Sequence, residues 1–166
     1  MGQKVNPIGF RVALNKNWDS RWYAKKSSFG DWLNEDIRIR EFIRKNYQSA
    51  AIARILIERS ANRIRVTIFT ARPGVLVGRK GEETEKMRAE IAKLAKSKDI
   101  LLDVVDIKDA ETNAQLVAEN IAFQLERRVG FRRAMKKAIQ TAMEKGVEGI
   151  KVAIAGRLGG AELARS

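Results

Sequence analysis

Residues 63–72 most constrain the fold, because Ile64, Val66 and Ile68 alternate strictly with Arg65, Thr67 and Phe69. A period of two over this length is the pattern of a half-buried strand. A second strand at 53–59, with Ile55 and Ile57 on one face, precedes it across Ser60-Ala61-Asn62, so the two predict an antiparallel hairpin. Pro73-Gly74 breaks the strand, Val75-Leu76-Val77 forms a short helical piece, and Gly78-Arg79-Lys80-Gly81 follows. A helix is expected over 82–96, with Met87, Ile91, Leu94 and Ala95 as its buried stripe. Glu82, Glu83 and Glu85 suit its positive N-terminal end. A third strand is expected at 101–107. A helix at 36–47, with Ile37, Phe42 and Ile43 inward and Arg38, Arg40, Arg44 and Lys45 outward, comes before the hairpin. The class is α+β, in the order αββααβ: a three-stranded sheet with helices on one face.

Flanking segments read differently. Residues 1–35 form a basic arm. Up to residue 30 it holds turn formers (Asn6-Pro7, Gly9, Asn15, Asn17, Gly30) and three exposed-looking aromatics, Trp18, Trp22 and Tyr23. Lys4, Arg11, Lys16, Arg21, Lys25 and Lys26 lie between them, which suits an extended arm, with a short ordered piece near Trp22, that orders on RNA. A polar hinge at 108–112 separates the domain at 36–108 from a smaller α/β domain at 109–166. In the latter, a helix at 113–128 has Val117, Ile121 and Leu125 spaced four apart. Gly130 interrupts it, a helix at 131–145 ends before Gly146, and a strand is expected at 149–155.

Charge narrows the function. The chain has 166 residues with 33 Lys and Arg against 20 Asp and Glu, a formal net charge of +13. Such an imbalance repels itself and is relieved by a polyanion, most commonly nucleic acid. No stretch nears the ~18 apolar residues of a spanning helix. Residues 1–6 lack a signal-peptide core and the Ser or Thr of a myristoylation motif, so a soluble, cytoplasmic protein is expected. Cysteine and histidine are absent, which removes thiol and His-based catalysis and Cys/His zinc sites. The Gly74, Gly78, Gly81 spacing does not make a Walker loop. Asp99, Asp103, Asp106 and Asp109 invite a metal-dependent nuclease reading, but Asp103 and Asp106 point to opposite faces of a strand. No enzyme, metal or cofactor is expected.

Two constellations point to RNA. Glycines at 78 and 81 permit a tight turn and let backbone amides approach phosphates. The following helix adds its positive dipole end, and Arg79 and Lys80 add charge. Between these elements it resembles the clamp by which a type II KH domain holds about four nucleotides of single strand. The second runs from Arg127 to Lys137, where Arg127, Arg128, Arg132, Arg133, Lys136 and Lys137 make six of eleven residues basic and none is acidic. From Phe131 onward, Phe131, Met135, Ala138, Ile139 and Ala142 fall on one helix face. Arg133, Lys136, Lys137 and Gln140 fall on the other, with Arg132 on the flank. No Glu or Asp stands three or four residues from Arg132, Arg133 or Lys136, so the positive face is unscreened and suits phosphate.

Four blocks resemble the bacterial members of the small-subunit ribosomal protein three family. They are residues 1–11 (MGQKVNPIGFR), residues 70–81 (TARPGVLVGRKG), residues 124–136 around Gln124-Leu125-Glu126-Arg127-Arg128 and Phe131-Arg132-Arg133, and residues 149–162 through Gly156-Arg157-Leu158-Gly159-Gly160. The resemblance implies a type II KH domain, then a smaller α/β domain, in the head of the small (30S) subunit. It implies 16S rRNA as main ligand, with ribosomal proteins ten and fourteen as neighbours and four and five beside the channel where mRNA enters. Residues matching Arg132, Arg133 and Lys136 are linked in the family to unwinding of structured mRNA there. Members continue with further strands past the last block, so the strand at 149–155 is expected to leave an open edge: either the second domain is truncated at Ser166, or partners and rRNA cover that edge. Two other readings stay open on the residues: a free KH regulator of mRNAs, and the carboxylate–metal nuclease.

Overall fold

A computed structural model describes residues 2–12, 14–60, 63–95, 99–161 and 164–166. The chain divides into two units, Met1–Asp106 and Ile107–Ser166. Ala61 and Asn62 of the expected hairpin connection, and Lys96 at the expected helix end, lie outside the described residues.

The first unit is built on a sheet of order β1-β2-β3-β4. Strands β2 (Ile52–Arg59) and β3 (Arg63–Thr70) form the expected antiparallel hairpin, with Ile55 opposite Ile68 and Ile57 opposite Val66. Strand β4 (Asp99–Asp106) lies parallel to β3. A parallel neighbour needs a crossover. Helix α3 (Pro73–Val77), the glycine turn and helix α4 (Glu82–Leu94) supply it. The strand alternation does what its period demands: Ile64, Val66 and Ile68 are buried, with Arg65 outside. They pack with Ile57 and Ile100, with Leu76 of α3, and with Met87, Ile91 and Ala95 from α4 and its C-terminal end. Leu94, expected in that stripe, is half-buried.

Four features differ from the sequence expectation, and one cause explains most of them. Helix α2 spans Lys26–Asn46, ten residues longer at its start than expected, and runs through Gly30. Its buried stripe is Asp36, Ile39 and Ile43, while Ile37 is 43% exposed. A two-residue strand β1 (Ser20–Arg21) pairs parallel to β2 and makes the sheet four-stranded. Trp22, expected to be exposed, is half-buried against Phe29 and Trp32, at centroid distances of 5.4 and 5.6 Å. The common cause is Asp36, fully buried. Its carboxylate accepts hydrogen bonds from Ser20 Oγ (2.7 Å), Trp22 Nε1 (2.8 Å), and Arg59 Nε and Nη2 (2.9 and 2.6 Å). Arg59 also reaches Glu35 at 2.8 Å and lies over the Trp32 ring. A mid-helix glycine costs roughly 1 kcal/mol relative to alanine. The aromatic cluster and the buried pair offset that cost, which helical periodicity alone does not reveal.

Arg40, expected to look outward, instead turns inward and donates to the Asp19 carbonyl and Ser20 Oγ, both at 2.9 Å. Burial lowers its pKa, with Asp36 and Asp19 opposing. Farther out, the arm also forms helix α1 (Pro7–Arg11). The Asn6 side chain accepts from the Ile8 and Gly9 amides, and Pro7 occupies the first turn. Asn-Pro here starts a helix rather than a turn.

In the second unit, helix α5 (Ala114–Glu126) is capped by Asn113, whose side chain accepts from the Gln115 and Leu116 amides. It packs on helix α6 (Phe131–Glu144). The buried residues are Leu116 and Ile121 on α5 and Ala134 and Ala142 on α6. Val117 and Leu125 are half-buried, and Ile139 is 39% exposed rather than inward. The strand expected at 149–155 is reduced to β5 (Ala155–Gly156), which pairs antiparallel with β6 (Ala164–Arg165). Ile154 and Ser166 exchange both backbone hydrogen bonds at 2.8 Å, so the chain's last residues line this edge. Residues 149–153 form no ladder among the described residues.

Removing one partner of a buried, hydrogen-bonded ion pair strands the other charge. Asp36→Ala is therefore expected to lower unfolding free energy by about 3–5 kcal/mol, measured by urea denaturation. Arg63→Ala, which breaks an exposed pair with Asp99, is expected to cost under ~1 kcal/mol. Equal losses in the two variants would contradict the role given to Asp36.

Candidate nucleic-acid interface

The Gly78-Arg79-Lys80-Gly81 turn is held from both sides before any ligand is considered. Leu76 on α3 and Met87 on α4 are fully buried, and Thr84 Oγ1 donates to the Leu76 carbonyl at 3.2 Å. The backbone then has little choice. Gly78 has φ +66°, and a Cβ there would meet Glu83 Cγ at 2.8 Å. Side chains are therefore excluded twice at this position. Lys80 and Gly81 both adopt positive φ, at 54° and 85°. The result is a tight turn with Arg79 and Lys80 exposed at its tip.

Electrostatics favour an anion at that tip. Arg79 and Lys80 take part in no ion pair among the described residues. Gly81 stands at the N-cap of α4 with no side-chain cap, so the leading amides of that helix have no side-chain acceptor there. Of the acidic residues in the first turn, Glu83 is engaged by Lys86 at 2.8 Å and Glu85 by Arg88 at 3.7 Å. The Glu83 hydrogen bond raises the Lys86 pKa. Burial, reinforced by Glu83 and Glu90, raises that of the neighbouring Tyr47 phenol. A pinned loop with two cations outside any ion pair, at the start of a helix with no side-chain cap, can hold phosphate oxygens.

The second unit displays the other cluster. Arg132, Arg133, Lys136 and Lys137 are all exposed on α6. Every ion pair among the described residues lies within Met1–Asp106, so none neutralises this row. Two carboxylates of this unit meet side-chain amides instead: Glu119 accepts from Gln115 and Glu144 from Gln140. Arg127 and Arg128 close the end of α5. Arg127 stacks on Phe123 at 4.1 Å. Arg128 sits at φ +60°, its amide bonded to the Leu125 carbonyl, a place where glycine is usual. Lys4 and Arg11 are exposed in the arm, and Arg11 turns back to the Pro7 carbonyl at 3.1 Å.

Two of the four carboxylates of the nuclease reading are used by the fold. Asp99 pairs with Arg63 at 2.7 Å and Asp103 with Arg65 at 3.4 Å. Among the described residues, no group of three or more acidic side chains could hold a metal ion. No helix among them is long and apolar enough to cross a membrane. The residue that sequence reasoning missed is Asp36. Its signal was a charge in the register of Ile39 and Ile43, three and seven residues ahead of them.

Comparison with known proteins agrees with this geometry. The KH domain family matches residues 38–112, and the family described as ribosomal protein S3, C-terminal domain, matches residues 121–166. The chain is 54% identical to small ribosomal subunit protein uS3 of Akkermansia muciniphila, over 100% of this chain and 73% of that protein. It is 53% identical to the uS3 of Myxococcus xanthus, over 99% and 74%. Against the uS3 of Ruegeria sp. the figures are 55%, 100% and 69%.

Replacing Arg79 and Lys80 together by Asp keeps both glycines and the buried supports. Affinity of the free protein for single-stranded RNA is expected to fall more than about tenfold, with little change in melting temperature. A folded double variant with unchanged affinity would show that the turn is not a clamp.

Proposed function

This chain belongs to the small ribosomal subunit protein uS3 family, and on that premise we propose that it binds rRNA in the subunit head and helps guide and open mRNA where it enters. As a uS3 protein it is a structural constituent of the small subunit with an RNA-binding KH domain, not an enzyme. The finer reading assigns RNA contact to Gly78, Arg79, Lys80 and Gly81, to Arg127, Arg128, Arg132, Arg133, Lys136 and Lys137, and to Lys4 and Arg11 in the arm. It treats 1–35 as arm, 36–108 as clamp domain and 109–166 as the second domain. Ribosomal proteins ten and fourteen are its proposed neighbours, with four and five near the mRNA channel.

The observation that supports the mRNA role is the unpaired cationic row on α6. Arg132, Arg133 and Lys136 lie within about one and a half helical turns, so their heads can reach one strand or one fork. Ala134 and Ala142 anchor the helix beneath them. A rigid row of cations binds the backbone of a separated strand and so favours opening of paired RNA. Without an NTP loop it supplies no work of its own. It biases an opening that translocation drives.

Arg132→Ala, Arg133→Ala and Lys136→Ala together remove three charges and no buried contact, so fold and assembly should survive. Ribosomes carrying the triple change should slow on messages with a stable hairpin ahead of the decoding site and run near normally on unstructured ones. Equal slowing on both would assign the row to rRNA anchoring. Normal translation with loss of some other mRNA-binding activity would favour a free regulator instead.

A further inference from the structure

The first thirty residues contain one carboxylate, Asp19, against six lysines and arginines: Lys4, Arg11, Lys16, Arg21, Lys25 and Lys26. That carboxylate is engaged by Arg54. Around it the backbone is pinned to the sheet at nearly every step. Arg54 Nη2 donates to the Asn17 carbonyl at 3.1 Å, and the Asp19 carbonyl accepts from the Ile57 amide at 2.8 Å and from Arg40. Ser20 and Arg21 pair with β2, and Trp22 is tied to Asp36. Yet two large aromatic side chains on this pinned stretch face outward. Trp18 is 57% exposed and Tyr23 is 91% exposed. Trp22, between them, shows that the local core accepts an aromatic ring when one is aimed at it.

We propose that Trp18 and Tyr23 are base-stacking residues for unpaired RNA, forming a second RNA site separate from the glycine clamp. Exposed rings on a fixed backbone lose little entropy when a base stacks on them, since only their own two side-chain torsions must settle. Stacking on aromatic rings is how proteins hold single strands without reading sequence. Lys16, Lys25 and Lys26 are exposed on either side and take part in no ion pair among the described residues, which gives the strand's phosphates partners beside its bases. Rings interleaved with lysines match a polyanion with flat bases better than they match an apolar protein surface. The proposal rests on RNA binding by this chain but not on the clamp.

The test uses the full chain, a short oligoadenylate, and a sugar–phosphate oligomer of equal length lacking bases. Trp18→Ala with Tyr23→Ala should weaken oligoadenylate binding by roughly tenfold per lost stack. It should leave binding of the abasic oligomer, and the salt dependence of both, unchanged. Trp18→Phe with Tyr23→Phe should recover most of the affinity. Unchanged oligoadenylate affinity in the alanine variant overturns the proposal, as does an equal loss for both oligomers. Normal RNA binding with failure to enter the small subunit would assign the rings to a protein neighbour, and also overturns it. A wild-type chain that binds neither oligomer removes RNA binding itself, and the functional reading with it.

Discussion

The buried contact between Asp36 and Arg59 is the constraint on which the N-terminal half depends. Taking both charges out of water is costly unless each of their nitrogens and oxygens finds a partner. Here they do. The Asp36 oxygens accept from Ser20, Trp22 and Arg59, and Arg59 spends its remaining donors on Glu35 and the Trp32 carbonyl. Among the described residues no buried side-chain nitrogen or oxygen lacks a hydrogen bond. One carboxylate thereby joins the arm, helix α2 and the end of β2. That junction explains the early start of α2, the fourth strand and the half-burial of Trp22.

A division of labour among the cations follows. In Met1–Asp106, Arg21, Arg54, Arg59, Arg63, Arg65, Lys86, Arg88 and Lys93 meet carboxylates and belong to the architecture. Arg79 and Lys80 do not, and they sit on a turn whose backbone is fixed by Gly78, Gly81 and the buried Leu76 and Met87. On α6 the division is sharper still, because none of its cations takes part in an ion pair among the described residues.

Much of this was legible in the sequence, and the parts that were not share a physical reason. The hairpin, the crossover through the glycine turn and the α6 basic face follow from short-range signals: a period of two, Pro-Gly breaks, a period of 3.6. Ile39 in place of Ile37, the length of α2 and the inward turn of Arg40 depend instead on tertiary contacts, most of them between residues fourteen or more apart. No local pattern encodes those. The strand expected at 149–155 fails for a related reason. Ile150, Val152 and Ile154 alternate as a strand should, but a strand needs a neighbour, and the described chain supplies one only at Ile154 and beyond. The geometry of the glycine turn and the exposed basic face of α6 were legible because each is contiguous in sequence.

The central claim is that the unpaired cations, not the paired ones, bind RNA. The salt dependence of single-strand binding by the free protein tests it most directly. With roughly four to six phosphate contacts, the logarithm of the association constant should fall with the logarithm of salt concentration at a slope of about −3 to −4. Base identity should matter little. A flat response would contradict the account. So would strong selection of one base sequence, because contacts to phosphate carry no sequence information.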